Sequence, residues 1–181
     1  MTSDQWLVVV DHQRIFADPA SGWCAPRFAE TAPVVARLAA HFGDRVVATR
    51  WLPGTNRNGS WKAYFDKWTF ADRPDGDPCF DLVDTAADLS ERPTVDVTTF
   101  GKWGPELEAV VGANAHLVLA GVATDCCVIS TALAAADAGC TVTIVSDGCA
   151  GSSDENQAAA LQVLGLYAPQ ITVVTAEELL G

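Results

Sequence analysis

Six short apolar runs punctuate the chain, at Trp6–Val10, Val46–Thr49, Thr94–Thr98, Leu117–Ala120, Val142–Val145 and Ile171–Val174. Each is rich in Val, Ile or Leu and is bounded by polar residues or Gly, which predicts six strands. Between several of them the pattern changes to helical spacing. Val34, Val35, Leu38 and Phe42 follow the first run, Ile129 to Ala138 the fourth, and Ala158 to Leu166 the fifth. Pro33 is expected near a first turn, Ser152-x-x-Glu155 resembles a capping box, and Gly43, Gly139 and Gly165 stand where helices should end. Strands alternating with helices in this way predict an α/β fold in three layers, α/β/α, with a doubly wound, mostly parallel sheet covered on both faces. The whole chain, 1–181, is read as one domain.

Leu52 to Glu91 breaks this rhythm with Pro53, Gly54, Gly59, Pro74, Gly76 and Pro78. Trp51, Trp61 and Trp68, with Tyr64 and Phe65, crowd its first part. Long loops of this kind serve as lids or binding loops, and aromatic residues equally anchor loops or subunit interfaces. Both readings stand at this level.

Composition narrows the class of partner. With 49% hydrophobic and 19% charged residues the chain is an ordinary folding sequence, and 11 Lys and Arg against 23 Asp and Glu leave a net charge of −12. Such a balance disfavours nucleic acid and anionic membranes, so a small-molecule substrate is the expected partner. The N-terminal residues carry no cationic start or long apolar stretch, and no run approaches the ~20 residues of a membrane span, so a cytoplasmic protein is expected. The six cysteines are then expected to be reduced thiols rather than a disulfide framework. No Cys-x-x-Cys pair exists, and His12, His41 and His116 lack metal-binding spacings, so neither a metal nor a cofactor is expected.

Two places carry candidate chemistry. Asp11 directly follows the strand Leu7-Val8-Val9-Val10, at the carboxyl end where parallel sheets bind ligands, although a short carboxylate there could equally cap a turn. Gly121-Val122-Ala123-Thr124-Asp125-Cys126-Cys127 leads from the fourth strand into an Ala-rich helix. A thiol at a helix start is favoured as thiolate and can attack carbonyls, whereas a thiol that merely packs is the commoner case. Either neighbouring cysteine could be the inert one.

Val9-Val10-Asp11-His12-Gln13, a following Lys, and Gly121-Val122-Ala123-Thr124-Asp125-Cys126-Cys127-Val128 together resemble the isochorismatase-like cysteine hydrolase family, over almost the whole chain. The resemblance implies a six-stranded doubly wound sheet and hydrolysis of a small amide or related carbonyl compound through a thioester. It makes Cys127 the nucleophile, Asp11 the general base, and the amides of Ala123 and Cys127 the oxyanion hole, with a cis peptide matching Val122–Ala123. The family lysine usually stands where Val97 aligns, so Lys102, the one lysine beyond Lys67, is its expected replacement. The zinc ligands of the family's nicotinamidases find no match in Thr49 to Asn56. Phe16, Arg50, Trp51, Trp61, Trp68 and Trp103 are expected to line the substrate pocket. Family members are commonly oligomers, which implies a homodimer or homotetramer. Two other outcomes fit the same motifs: a vinyl ether hydrolase using Asp11 as acid, and a catalytically silent binding protein.

Overall fold

A computed structural model of the protein describes residues 5–181. Its six strands are β1 (Gln5–Val10), β2 (Val46–Trp51), β3 (Val95–Val97), β4 (His116–Val122), β5 (Thr141–Ala150) and β6 (Ile171–Val174). All pair in parallel, in the order β3-β2-β1-β4-β5-β6. The helices are α1 (Arg14–Ala17), α2 (Phe28–Phe42), α3 (Ser60–Lys67), α4 (Asp84–Ala87), α5 (Pro105–Val111), α6 (Ile129–Asp137), α7 (Asp154–Gly165) and α8 (Ala176–Leu180).

Parallel strands are joined by crossovers, and the crossovers here cover both faces of the sheet. Val8, Val10, Leu117, Leu119, Val142 and Ile144 pack on one face with Leu107 of α5, Ala132 of α6 and Leu164 of α7. Leu7, Val9, Val118 and Ala120 pack on the other with Val35, Leu38 and Phe42 of α2 and Ala176 of α8. Each buried Val or Leu contributes roughly 1.5–3 kcal/mol, so the continuous apolar runs and the two-sided burial express one cause. Gly121 is required where β4 meets β1, because a Cβ there would stand 2.1 Å from the Val10 carbonyl oxygen.

Local punctuation differs from the sequence reading in three places. Helix α2 begins at Phe28, so Pro33 lies inside it, on the sixth residue rather than in a first turn. Ser153, not Ser152, caps α7, its Oγ accepting from the Asn156 N–H at 3.1 Å, because Ser152 is held by Asp125. Gly165 is the last residue of α7 and Leu166 follows as its cap. Gly43 does close α2 with a positive φ of 60°, and Gly139 adopts φ 94° just past α6.

The chain leaves β1 outward through β2 and β3, then returns to place β4 on the other side of β1. The carboxyl ends of β1 and β4 therefore flank the crevice where the winding reverses, the usual ligand position in open parallel sheets. The Leu52–Glu91 excursion folds over this end of the sheet and contributes Phe65, Ala71 and Phe80 to a third buried cluster with Ile15, Phe16 and Trp51. Among the described residues no helix is long and apolar enough to cross a membrane.

Candidate active site

Asp11, one residue past β1, adopts φ 49°, a left-handed conformation that a short carboxylate tolerates. Its side chain is wholly buried, and Thr49 at the inner end of β2 holds it: Thr49 Oγ1 donates to Asp11 Oδ1 at 2.7 Å. The other oxygen, Oδ2, faces Lys102 Nζ at 2.9 Å, and both side chains are fully shielded from solvent. An unpaired charge at this depth would cost several kcal/mol, so the carboxylate and ammonium each make the other's burial tolerable.

Lys102 is not presented by a strand. β3 ends at Val97, which packs its side chain against the core, and the loop beyond it turns back so that Lys102 reaches Asp11 from five residues further on. Gly101 permits this turn to lie on α6, where a Cβ would approach the Ser130 carbonyl oxygen to 3.1 Å. Thr131 then joins loop to helix. Its Oγ1 accepts from the Lys102 N–H at 2.9 Å and donates to the Cys127 carbonyl at 2.6 Å.

Cys127 lies in a π-helical turn, Thr124–Val128, that connects β4 to α6, and the Val122–Ala123 peptide before it is cis. Its thiol is buried at the floor of a cavity of about 290 Å³, while Cys126, half-buried, lines the same wall. Interaction between the two neighbouring thiols lowers the pKa of Cys126 and raises that of Cys127; burial and the Asp11 charge push Cys127 further up. Tyr64 stands beside both. Burial, then the neighbouring Cys126 and Cys127, hold its hydroxyl well above the ordinary phenol range, so it is a protonated donor at neutral pH.

The structure thus brings Asp11, Lys102 and Cys127 together at the switch point, with Ala123 on the same cavity wall. Phe16, Trp51 and Trp68 line the cavity as expected from the sequence, but Arg50, Trp61 and Trp103 do not. Arg50 is drawn to the β3 edge, where its guanidinium donates to Asp96 at 2.6 and 2.9 Å. Trp61 packs behind the wall against Phe65 and Phe100, and Trp103 packs against the main core. Trp23, Tyr64 and Phe100 take the places left. They come from three separate loops or short helices with no shared periodicity, so no local signal marks them. Gln13 also acts locally, donating to the Trp51 and Phe80 carbonyls and accepting from the Trp51 N–H, which ties β2 to the excursion.

The donor set does not suit a zinc ion. At the end of β2 and beyond it the chain offers Trp51, Leu52, Pro53 and Gly54, and His12 turns its Nε2 to Thr31 at 3.0 Å. No group of three or more His, Cys, Asp or Glu side chains is arranged for a metal among the described residues.

The chain is a three-layer α/β/α domain with a doubly wound, six-stranded parallel sheet and a buried acid, lysine and cysteine gathered at its switch point, and comparison with known proteins gives its family. Residues 5–178 match the isochorismatase domain, and the chain belongs to the isochorismatase family of hydrolases. An isochorismatase family protein from Desulfovibrio vulgaris superposes with a TM-score of 0.82 at 20% identity, covering 97% of this chain and 96% of that one. A cysteine hydrolase from Pseudomonas syringae gives 0.82 at 18%, covering 98% and 91%. A pyrazinamidase from Pyrococcus horikoshii, in complex with zinc, gives 0.74 at 24%, covering 95% and 99%. At these identities the likeness is one of fold. No curated protein matches the sequence.

Proposed function

We propose that the protein is a cysteine hydrolase that cleaves a small amide or related carbonyl compound through a thioester on Cys127. The observation that carries this reading is the buried Asp11–Lys102 ion pair beside the Cys127 thiol at the floor of an aromatic cavity. A thiol held protonated needs a base at the moment of attack, and the free lone pair of Asp11 Oδ2 is that base. Asp11 takes the thiol proton as sulfur bonds to the carbonyl carbon. The oxyanion that forms is received by the N–H groups of Ala123 and Cys127. Collapse expels the amine, which leaves with the proton from Asp11, and a water activated by the same carboxylate hydrolyses the thioester. Lys102, 2.9 Å from Asp11 Oδ2, orients the carboxylate between these transfers.

Cys127 suits the role better than Cys126 because the charge acting on it most strongly is that of Asp11, whereas for Cys126 it is Asp125 on the cavity wall. The cavity wall offers no Arg or Lys, which weighs against a dianionic vinyl ether as substrate. The test is ammonia or amine release from a panel of small amides, with acid-quenched mass mapping of the acyl adduct. Release and a Cys127 adduct, both lost in Cys127→Ala, are expected. Release that persists in Cys127→Ala would overturn the nucleophile and leave Asp11 acid chemistry in its place.

A further inference from the structure

The wall of the cavity has a chemical character of its own. Trp23 is the hub of a ring cluster, with centroids 5.3 Å from Trp51, 5.8 Å from Tyr64 and 6.0 Å from Trp68. It meets Trp51 at 78° and Trp68 at 64°, edge to face, while Phe16 stacks on it at 13°, and all four rings line the cavity. Phe16 and Phe100 complete the enclosure, and the one charged side chain on the wall is Asp125. Its carboxylate accepts from the Ser152 N–H and hydroxyl, both at 2.7 Å, which fixes it in place and leaves further lone pairs unused.

No Arg or Lys is among the residues that line this cavity. Lys102 is fully buried behind the wall and neutralised by Asp11. Arg50 is paired with Asp96, and Arg57 with Asp72 while lying over Phe65. Lys67 already shows what such rings attract, its ammonium standing 4.8 Å from the Trp68 centroid. Aromatic rings around a small volume, with a fixed carboxylate and an overall charge of −12, favour a positive guest and repel an acid.

We propose that the cavity is an aromatic cage for a cationic substrate group, an alkylated or protonated ammonium seated among Trp23, Tyr64 and Trp68 with Asp125 as its counter-charge. The substrate class is therefore an amide whose remaining part carries a positive charge. This specificity rests on the reading of the same cavity as the substrate site, but the cage can be examined without turnover.

The experiment uses the Cys127→Ala protein and three probes of matched shape: choline, its neutral isostere 3,3-dimethylbutan-1-ol, and the anion 3,3-dimethylbutanoate. Binding is read by titration calorimetry and by quenching of the cavity tryptophans. Choline is expected to bind at least tenfold more tightly than the neutral alcohol, with no binding of the anion. Asp125→Asn and Trp68→Leu, each checked for native circular dichroism, should each cut that preference by threefold or more. If the alcohol binds as well as choline, or none of the probes binds, the cage is refuted and the rings are an apolar wall. Failure of the cage with a Cys127 acyl adduct still forming in the wild type would leave the hydrolase reading intact. Choline binding without any adduct would do the reverse.

Discussion

Lys102 Nζ stands 2.9 Å from Asp11 Oδ2, and neither side chain retains any solvent exposure. The two groups come from distant parts of the chain, one from the end of β1 and one from the loop after β3. Their pairing therefore joins loop position to strand position. Removing one partner leaves the other as an uncompensated buried charge, which typically costs about 3–5 kcal/mol. Lys102→Met and Asp11→Ala should each lose stability of that order in urea denaturation, together with hydrolase activity. The double variant should recover much of the stability and none of the activity. Equal stability of Lys102→Met and the wild type would show that the pair is not formed in solution.

The thiols make a sharper prediction. Cys126 has its pKa lowered by interaction with the Cys127 thiol, while burial pushes Cys79 up to about 11 and Cys149 to about 12. Since the thiolate is the species alkylated, iodoacetamide at neutral pH should label Cys126 first and Cys127 more slowly. In Cys126→Ala, Cys127 loses the largest influence holding its pKa up, so its labelling should accelerate several-fold by peptide mapping. No acceleration would mean that the two thiols do not influence one another.

How far the sequence reaches can be judged on these same residues. The strands were legible because two-sided burial writes continuous Val and Leu runs, and β1 and β4 differ from the sequence reading only at their ends. Asp11 and the Cys126-Cys127 turn were legible because a strand end and a helix start are both visible in the pattern. Lys102 was harder. The strand position matching the family lysine holds Val97, and only the return of the loop over α6 at Gly101 shows how a lysine five residues later reaches Asp11. The cavity wall was least legible, because Trp23, Tyr64 and Phe100 are gathered by tertiary packing alone. Arg50 fails for a related reason, since its partner Asp96 sits beside it in register on β3, a pairing no sequence window contains.

His12 links burial to acid sensitivity. Its ring packs on Phe28 with centroids 4.5 Å apart, and burial lowers its pKa from 6.5 to about 4. Below pH 6.5 the unfolded chain binds a proton that the folded one refuses, so stability falls as the pH drops from about 6.5 to about 4 and levels off below. The total is on the order of 3 kcal/mol, taking 1.36 kcal/mol for each pKa unit. His116, also lowered by burial, adds to the fall in the same direction. Melting temperature against pH should slope through this window in the wild type and flatten in His12→Gln. An unchanged slope in His12→Gln would place the acid sensitivity elsewhere.

Thr131 offers a test of positioning as distinct from chemistry. Its hydroxyl is the single group that touches both the Lys102 backbone and the Cys127 carbonyl, at 2.9 and 2.6 Å, and it is wholly buried. Thr131→Val preserves the shape of the side chain but leaves the Lys102 N–H without an acceptor, at a cost of about 1–3 kcal/mol. The loop carrying Lys102 would then relax away from α6, and Asp11 would lose its fixed counter-ion. The expected result is a fall in kcat of tenfold or more with KM little changed, because the cavity wall that receives substrate is not touched. Thr131→Ser, which keeps the hydroxyl, should restore most of the rate. A Thr131→Val enzyme with normal kcat would show that Lys102 holds its place without the bridge, and that the ion pair with Asp11 alone sets the geometry of the site.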